Sequence, residues 1–230
     1  MKAWAVLLFV LGGLVPAGAQ IRTSNPGFAP RESYSYVETI GGQTRPYQVT
    51  LTLVGEGPSA RYEFHTVGTD LESVYRLDPA TLVSLSSQTL TKAPDAEVVR
   101  TAEYKNVKVK AGADELAVTD LGSLPAQLRG YPWGKVAAGR IAYVGNASAS
   151  ASITFELQVA GKDKVAAAGK TWECWHVTLG LGGALSVFLA KTEYWFAVEG
   201  THPLIKAAGP SAGPGSPPRS LVLQSFTDED

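Results

Sequence analysis

The stretch Tyr47-Gln48-Val49-Thr50-Leu51-Thr52-Leu53 alternates large apolar and polar residues without a break. Successive side chains of an extended strand point to opposite faces. Tyr47, Val49, Leu51 and Leu53 therefore share one face, and Gln48, Thr50 and Thr52 the other. Such a strand is half-buried and belongs to a sheet with one apolar side. The same period runs outward in both directions. Ser33-Tyr34-Ser35-Tyr36-Val37 places aromatics at every second position ahead of a Gly41-Gly42 break. Gly55-Glu56-Gly57-Pro58 is the next turn, and Arg61-Tyr62-Glu63-Phe64-His65-Thr66-Val67 alternates again. Strand, turn and strand at this regular spacing read as an antiparallel meander.

Further strands are read at Ser73–Asp78, Thr81–Thr91, Val98–Lys105, Val107–Lys110, Arg140–Val144, Ser152–Val159, Thr171–Leu179, Ser186–Phe196 and Arg219–Phe226. One segment breaks the rhythm. Asp120 to Trp133 predicts a short helix near residues 122–130, with Ser123 as its cap, Pro125 in the first turn and Gly130 as its stop. Leu121, Leu124 and Leu128 then share an apolar face, fitting either a crossover packed on a sheet or a lid over a cavity. Ala207–Pro218 (AAGPSAGPGSPP) reads as a mobile loop. The expected fold is mainly β: one strongly curved antiparallel sheet, an open half-barrel, with a short helix packed on it.

The chain begins with Lys2, an apolar run from Ala3 to Val15, and small residues at Ala17-Gly18-Ala19. This is the pattern of a signal peptide over 1–19, cleaved before Gln20. Its apolar core is shorter than the about 20 residues a spanning helix needs. A periplasmic or secreted protein follows, with no membrane-spanning segment in the mature chain. Residues 20–32 are expected to be a flexible lead-in, 33–227 a single β-rich domain, and 228–230 an acidic tail. The chain carries 20 Lys+Arg against 21 Asp+Glu. That balance creates no long-range field for nucleic acid, so no nucleic-acid partner is expected. Cys174 is the only cysteine, which excludes an intrachain disulfide.

The densest chemical constellation is Trp172-Glu173-Cys174-Trp175-His176. On a strand, Trp172, Cys174 and His176 share a face. A thiol nucleophile with its base and half of a metal site are the two reactive readings. Residues two apart on a strand lie roughly 6.5–7 Å apart, too far for a close thiol–imidazole bond. A metal site wants three or four ligands, and the other histidines are His65 and His202. A buried thiol among large aromatics fits better. No G-x-S-x-G, H-E-x-x-H, P-loop or dinucleotide-binding glycine pattern occurs. Asp70, Glu72, Asp78 and Asp95 are scattered near turns and form no acid–base pair. The residues thus predict no enzyme, no metal and no cofactor. Asn146-Ala147-Ser148 fits a glycosylation acceptor. The aromatic residues point to binding instead. Tyr62, Phe64, Trp133, Trp172, Trp175 and Trp195 are the candidate ligand-binding residues, on a concave sheet face that holds a greasy molecule. The competing reading places them in an ordinary core.

The second half resembles the bacterial domain-of-unknown-function family 3108. The similarity is carried by the helical stretch before Tyr131-Pro132-Trp133-Gly134, by Val165 and Gly169-Lys170-Thr171-Trp172-Glu173-Cys174-Trp175-His176-Val177, by Tyr194-Trp195-Phe196, and by Pro203-Leu204-Ile205-Lys206. Upstream, Asp78-Pro79-Ala80-Thr81-Leu82 is similar to a turn of that family, and the resemblance spans roughly 33–226. It implies an exported protein with a strongly bent sheet, similar to the half-barrel of lipoprotein carriers, and brings no catalytic residues. The expected function is that of an exported, non-catalytic carrier or binding protein of the bacterial envelope, holding a hydrophobic small molecule or lipid. The alternative is a structural or assembly role through an envelope protein partner. Intact-mass analysis of the exported product should give a chain starting at Gln20; a species retaining residues 1–19 in a membrane fraction would contradict this reading.

Overall fold

The computed structural model describes residues 20–92, 97–104, 111–112, 114–143, 153–183, 190–212 and 215–229. The signal segment 1–19, the Val107–Lys110 strand, the Asn146 acceptor, the start of the Ser186–Phe196 strand and Asp230 lie outside the described residues. In chain order the strands are β1 (Arg31–Ile40), β2 (Gln43–Val54), β3 (Arg61–Val67), β4 (Leu71–Leu77), β5 (Ser84–Thr91), β6 (Val98–Glu103) and β7 (Glu115–Val118). After the helix α1 (Leu124–Arg129) come β8 (Ala138–Tyr143), β9 (Ile153–Ala167), β10 (Lys170–Leu181), β11 (Thr192–Ala197), β12 (Leu204–Pro210) and β13 (Pro218–Glu229).

These strands form one 13-stranded sheet in the order β6-β5-β4-β3-β2-β1-β13-β12-β11-β10-β9-β8-β7. The fold is mainly β, one curved and unclosed sheet, as the alternation implies. Tyr34, Tyr36, Val49, Leu51, Tyr62 and Phe64 are all buried on its inner face. Residues of opposite parity face out, where His65 Nε2 meets Glu72 Oε1 at 2.8 Å. Gly41 and Gly42, with φ of 56° and 86°, close the β1–β2 hairpin. Two successive positive φ values suit the twist of the flanking strands and favour glycine. Bulges at Ser35/Tyr36, Arg76/Leu77, His176/Val177 and Trp195/Phe196 bend the sheet.

Every neighbouring pair is antiparallel except β7 and β8, which run parallel. A parallel pair needs a crossover, and α1 lies within it. The helix is therefore the packing element of the two options. Its entrance differs from the expectation. Asp120 Oδ1 accepts the Gly122 N–H at 2.8 Å and opens a 3-10 turn over Leu121–Ser123. Ser123 Oγ instead donates to Asp120 O at 2.9 Å. Leu124 and Leu128 are fully buried inside the sheet.

The edge strands β6 and β7 are not paired, yet side chains cross between the two ends of the sheet. Tyr104 donates its hydroxyl to Asp120 Oδ2 at 2.8 Å, and Thr119 Oγ1 donates to Ser84 O at 2.9 Å.

Three expectations need correction. Residues 20–32 are not a flexible lead-in: they pack under the sheet. Ile21 bridges Leu116, Ser24 N–H bonds Gly130 O at 3.1 Å, and Phe28 meets the Tyr62 ring edge-on at 5.4 Å. The segment looks polar because Ile21 and Phe28 are its only buried apolar residues, and Thr23, buried as well, is polar. Asn25 supplies the turn between them, its Oδ1 accepting from Gly27 and Phe28 N–H at 2.9 Å. Asp228 and Glu229 likewise belong to β13, opposite Glu32 and Arg31, so the acidic tail is largely strand. Ala207–Pro210 is strand as well, leaving the connection to β13 shorter than the Ala207–Pro218 loop expected.

The deepest polar contact joins four of these parts. Arg129 Nη1, at the end of α1, donates to Glu32 Oε2 of β1 at 2.7 Å, with side chains 5% and 1% exposed. Arg129 also donates from Nε to Thr201 O at 2.9 Å and from Nη2 to Thr201 Oγ1 at 2.6 Å. Its guanidinium lies 4.1 Å over the Phe28 ring. Glu32 accepts in turn from the Tyr34 hydroxyl at 2.7 Å.

Breaking a buried pair by removing one partner strands the other charge. Arg129→Leu should therefore cost about 3–5 kcal/mol, and the double variant Arg129→Leu with Glu32→Leu less, read from urea unfolding. A second expectation concerns alkali. Burial pushes Tyr34, Tyr36 and Tyr131 well above the ordinary phenol value and Tyr104 to about 12. Below about pH 10 both states keep these protons, so they impose no slope; above it the unfolded chain ionises first, and stability falls as pH rises toward the folded values. Urea midpoints should decline from pH 10 upward, with tyrosinate absorbance appearing alongside unfolding. Phenols that titrate freely in the folded protein would contradict the burial.

Candidate functional site

The space enclosed by the sheet is filled at one end and hollow at the other. The filled end holds Phe28, Tyr62, α1 and the Trp133 cluster. The hollow end is a cavity of about 440 Å³ between β1–β4, β11–β13 and one side of α1. That is within the roughly 300–1,000 Å³ of small-molecule pockets.

Period two builds the walls. Tyr36 on β1, Tyr47 on β2, Phe64 on β3, Tyr75 on β4 and Tyr194 on β11 all turn inward. Between them stand small side chains, Thr66, Ser73 and Ala207, which leave the room the rings enclose. Pro125, Ala126 and Arg129 of α1 close the floor. Gly122 lets the crossover lie against β4, since a Cβ there would overlap the Tyr75 hydroxyl.

Charges sit on the wall and at the mouth in pairs. Arg219 Nε donates to Glu38 Oε1 at 2.6 Å, and Arg45 Nη1 to Asp70 Oδ2 at 3.2 Å. The Arg219 guanidinium lies 5.4 Å from the Tyr47 ring centre. Burial pushes the Tyr194 phenol up to about 12, against a smaller opposing pull from Arg219. The Tyr36 hydroxyl donates to Leu204 O at 3.0 Å. Those of Tyr47 and Tyr194, two residues that line the cavity, have no protein partner among the described residues.

Of the six aromatic residues proposed from sequence, Phe64 alone lines this cavity. Tyr62 shares its face but is sealed off, 3% exposed, beneath Phe28. Trp133 and Trp175 stack at 6.2 Å in the filled half, with Phe196 5.4 Å from Trp133. Trp172 and Trp195 fall on the side opposite in parity to Tyr194, where Trp195 is nonetheless buried, only 7% exposed, and Trp172 packs against the core. There Trp195 stacks on His176 at 4.5 Å and donates Nε1–H to Asp163 Oδ2 at 3.0 Å. The lining residues outside that set of six include Tyr36, Tyr47, Tyr75, Tyr194, Glu38 and Arg219. Tyr47 carried a signal, being in phase with Val49 and Leu51. Tyr194 carried one too, one step out of phase with Trp195.

The Cys174–His176 pair does not form a dyad. Cys174 is fully buried, and burial, with Asp163 and Glu173 nearby, pushes its thiol up to about 12. His176 spends both ring nitrogens on carboxylates, Nδ1 at 3.0 Å from Asp163 and Nε2 at 3.1 Å from Glu193. Among the described residues no group of three or more His, Cys, Asp or Glu is arranged to hold a metal ion.

No family model matches the chain, and no curated protein matches it. Solved structures do. A β-barrel-like protein of domain-of-unknown-function family 1849 from Brucella abortus matches at 10% identity and a TM-score of 0.45, covering 91% of this chain and 100% of that one. A protein of domain-of-unknown-function family 1329 from Desulfovibrio piger matches at 8% identity and a TM-score of 0.35, covering 89% and 88%. A LolA-superfamily protein from Nitrosomonas europaea matches at 10% identity and a TM-score of 0.23, covering 91% and 89%.

Proposed function

We propose that this chain is an exported, non-catalytic carrier or binding protein of the bacterial envelope, working as one β domain that holds a single apolar or lipid molecule inside its curved sheet. The kinship with family 3108 read in the sequence belongs to this proposal. The observation that carries it is the hollow end of the sheet: a cavity of about 440 Å³ walled by Tyr36, Tyr47, Phe64, Tyr75 and Tyr194. Aromatic rings of this kind remove a greasy molecule from water, and each fully buried apolar side-chain equivalent gains about 1.5–3 kcal/mol. A second reading, assembly through a protein partner, is favoured by the edge strand β6, where Val98 and Val99 are 50% and 59% exposed.

Native mass spectrometry of gently purified protein separates the two. The carrier reading expects one co-purified apolar molecule per chain, identified after solvent extraction. Ala207→Trp projects an indole into the cavity and should lower its occupancy about tenfold or more, at an overpacking cost of about 1–3 kcal/mol. An empty wild-type protein, or a bound molecule indifferent to Ala207→Trp, would sink the carrier reading. A stoichiometric protein partner would favour the second.

A further inference from the structure

Every charge that faces the cavity is already matched by an opposite one. Arg45 is held by Asp70 at 3.2 Å, Arg219 by Glu38 at 2.6 Å, and Arg129 by Glu32 at 2.7 Å. Among the described residues the lining holds no other ionised group. What remains unspent is neutral. Tyr47 and Tyr194, whose hydroxyls have no protein partner among the described residues, line the space, and Arg219, bound to Glu38 through Nε alone, keeps its two terminal nitrogens. These groups gather at one place. Arg219 lies over Tyr47 and acts electrostatically on Tyr194, and Glu38 behind it is only 8% exposed.

From this arrangement we propose that the cavity selects an uncharged molecule bearing carbonyl or hydroxyl oxygens and rejects an ionised carboxylate of the same chain length. The inference rests on the carrier reading and names the class of ligand for that site. An ionised carboxylate entering here would lose its hydration with no free cation to meet it. It would also lie beside the Glu38 carboxylate, and like charges in a poorly solvated site repel strongly. A carbonyl or hydroxyl oxygen brings no such charge. It accepts from the Tyr47 or Tyr194 hydroxyl, or from the spare Arg219 nitrogens, while Glu38 keeps its partner. The same balance argues against a cationic head, because Glu38 and Asp70 are already engaged.

The test is a matched pair of probes, 1-decanoylglycerol and decanoate, titrated into delipidated full-length mature protein. Calorimetry at about pH 8 keeps the acid ionised, its ordinary pKa being near 4–5. The glycerol ester should bind about tenfold or more tightly than the acid. Glu38→Gln removes the repelling charge and leaves Arg219 unmatched, so it should shift the ratio about tenfold toward decanoate. Should Glu38→Gln not fold, Arg219→Gln is the second variant: it should weaken the ester while leaving decanoate no better. Equal affinities, or tighter binding of decanoate to the wild type, overturn the proposal and leave the carrier reading standing. Failure of both probes to bind, or binding unchanged by Ala207→Trp, counts against the carrier reading itself and takes this proposal with it.

Discussion

The pair between Glu32 and Arg129 holds the rest of the structure in place. Desolvating a carboxylate and a guanidinium costs several kcal/mol per ion, and mutual attraction offsets this only when geometry is good and the remaining polar atoms are satisfied. Here they are. Arg129 spends three nitrogens on Glu32 and Thr201, and Glu32 receives the Tyr34 hydroxyl as well. The contact joins the crossover helix, the first strand, the segment before it through Phe28, and the turn between β11 and β12. Apart from that segment and the first strand, none of these is joined to another by chain continuity. Arg129 also forms part of the cavity floor, so the charge pair marks the boundary between packed and hollow interior.

That boundary follows from the size of the sheet. A curved sheet of many strands encloses more space than its own inward side chains can fill. At one end the excess is taken up by residues 21–30, by α1 and by the Trp133–Trp175 stack. At the other end the inward positions between the aromatic rings are Thr66, Ser73 and Ala207, too small to meet across the gap. The cavity is therefore a product of residue choice on strands whose backbone pairing continues unbroken past it.

Much of this was legible in the chain. The alternation at Tyr47–Leu53 and Arg61–Val67 states both the strands and which residues share a face, and the structure keeps that assignment. The break at Asp120–Trp133 is equally plain as a short helix. Other parts could not be read. β7 has four residues, too few for a period to emerge. Ala207-Ala208-Gly209-Pro210 has none of the branched or aromatic residues that mark strands, and it is strand because its neighbours β11 and β13 pair with it. The tryptophans show the sharpest limit. That Trp172 and Trp175 oppose each other is written in their spacing, but which of them faces inward depends on the distant pairing of β10 with β11. The partnership of Arg129 with Glu32, 97 residues away, leaves no local trace.

The strand order has a consequence for how the chain closes. From β1 to β6 and from β8 to β13 each strand lies beside its predecessor. The exception is β1 against β13, where Arg31 faces Glu229 across the whole length of the sequence. The first and last strands thus meet in the middle of the sheet, and the gap in the sheet falls between β6 and β7. Seen this way the architecture is a single ribbon whose covalent starting point has been moved. A circular permutant beginning at β7 and running through β13 into β1 would lay its strands down in spatial order from one edge to the other. In the natural chain two ribbons must instead wait for each other. Among the described strand pairs their union spans the greatest sequence separation and carries the largest loop-closure cost, and it cannot form until β13 has been made.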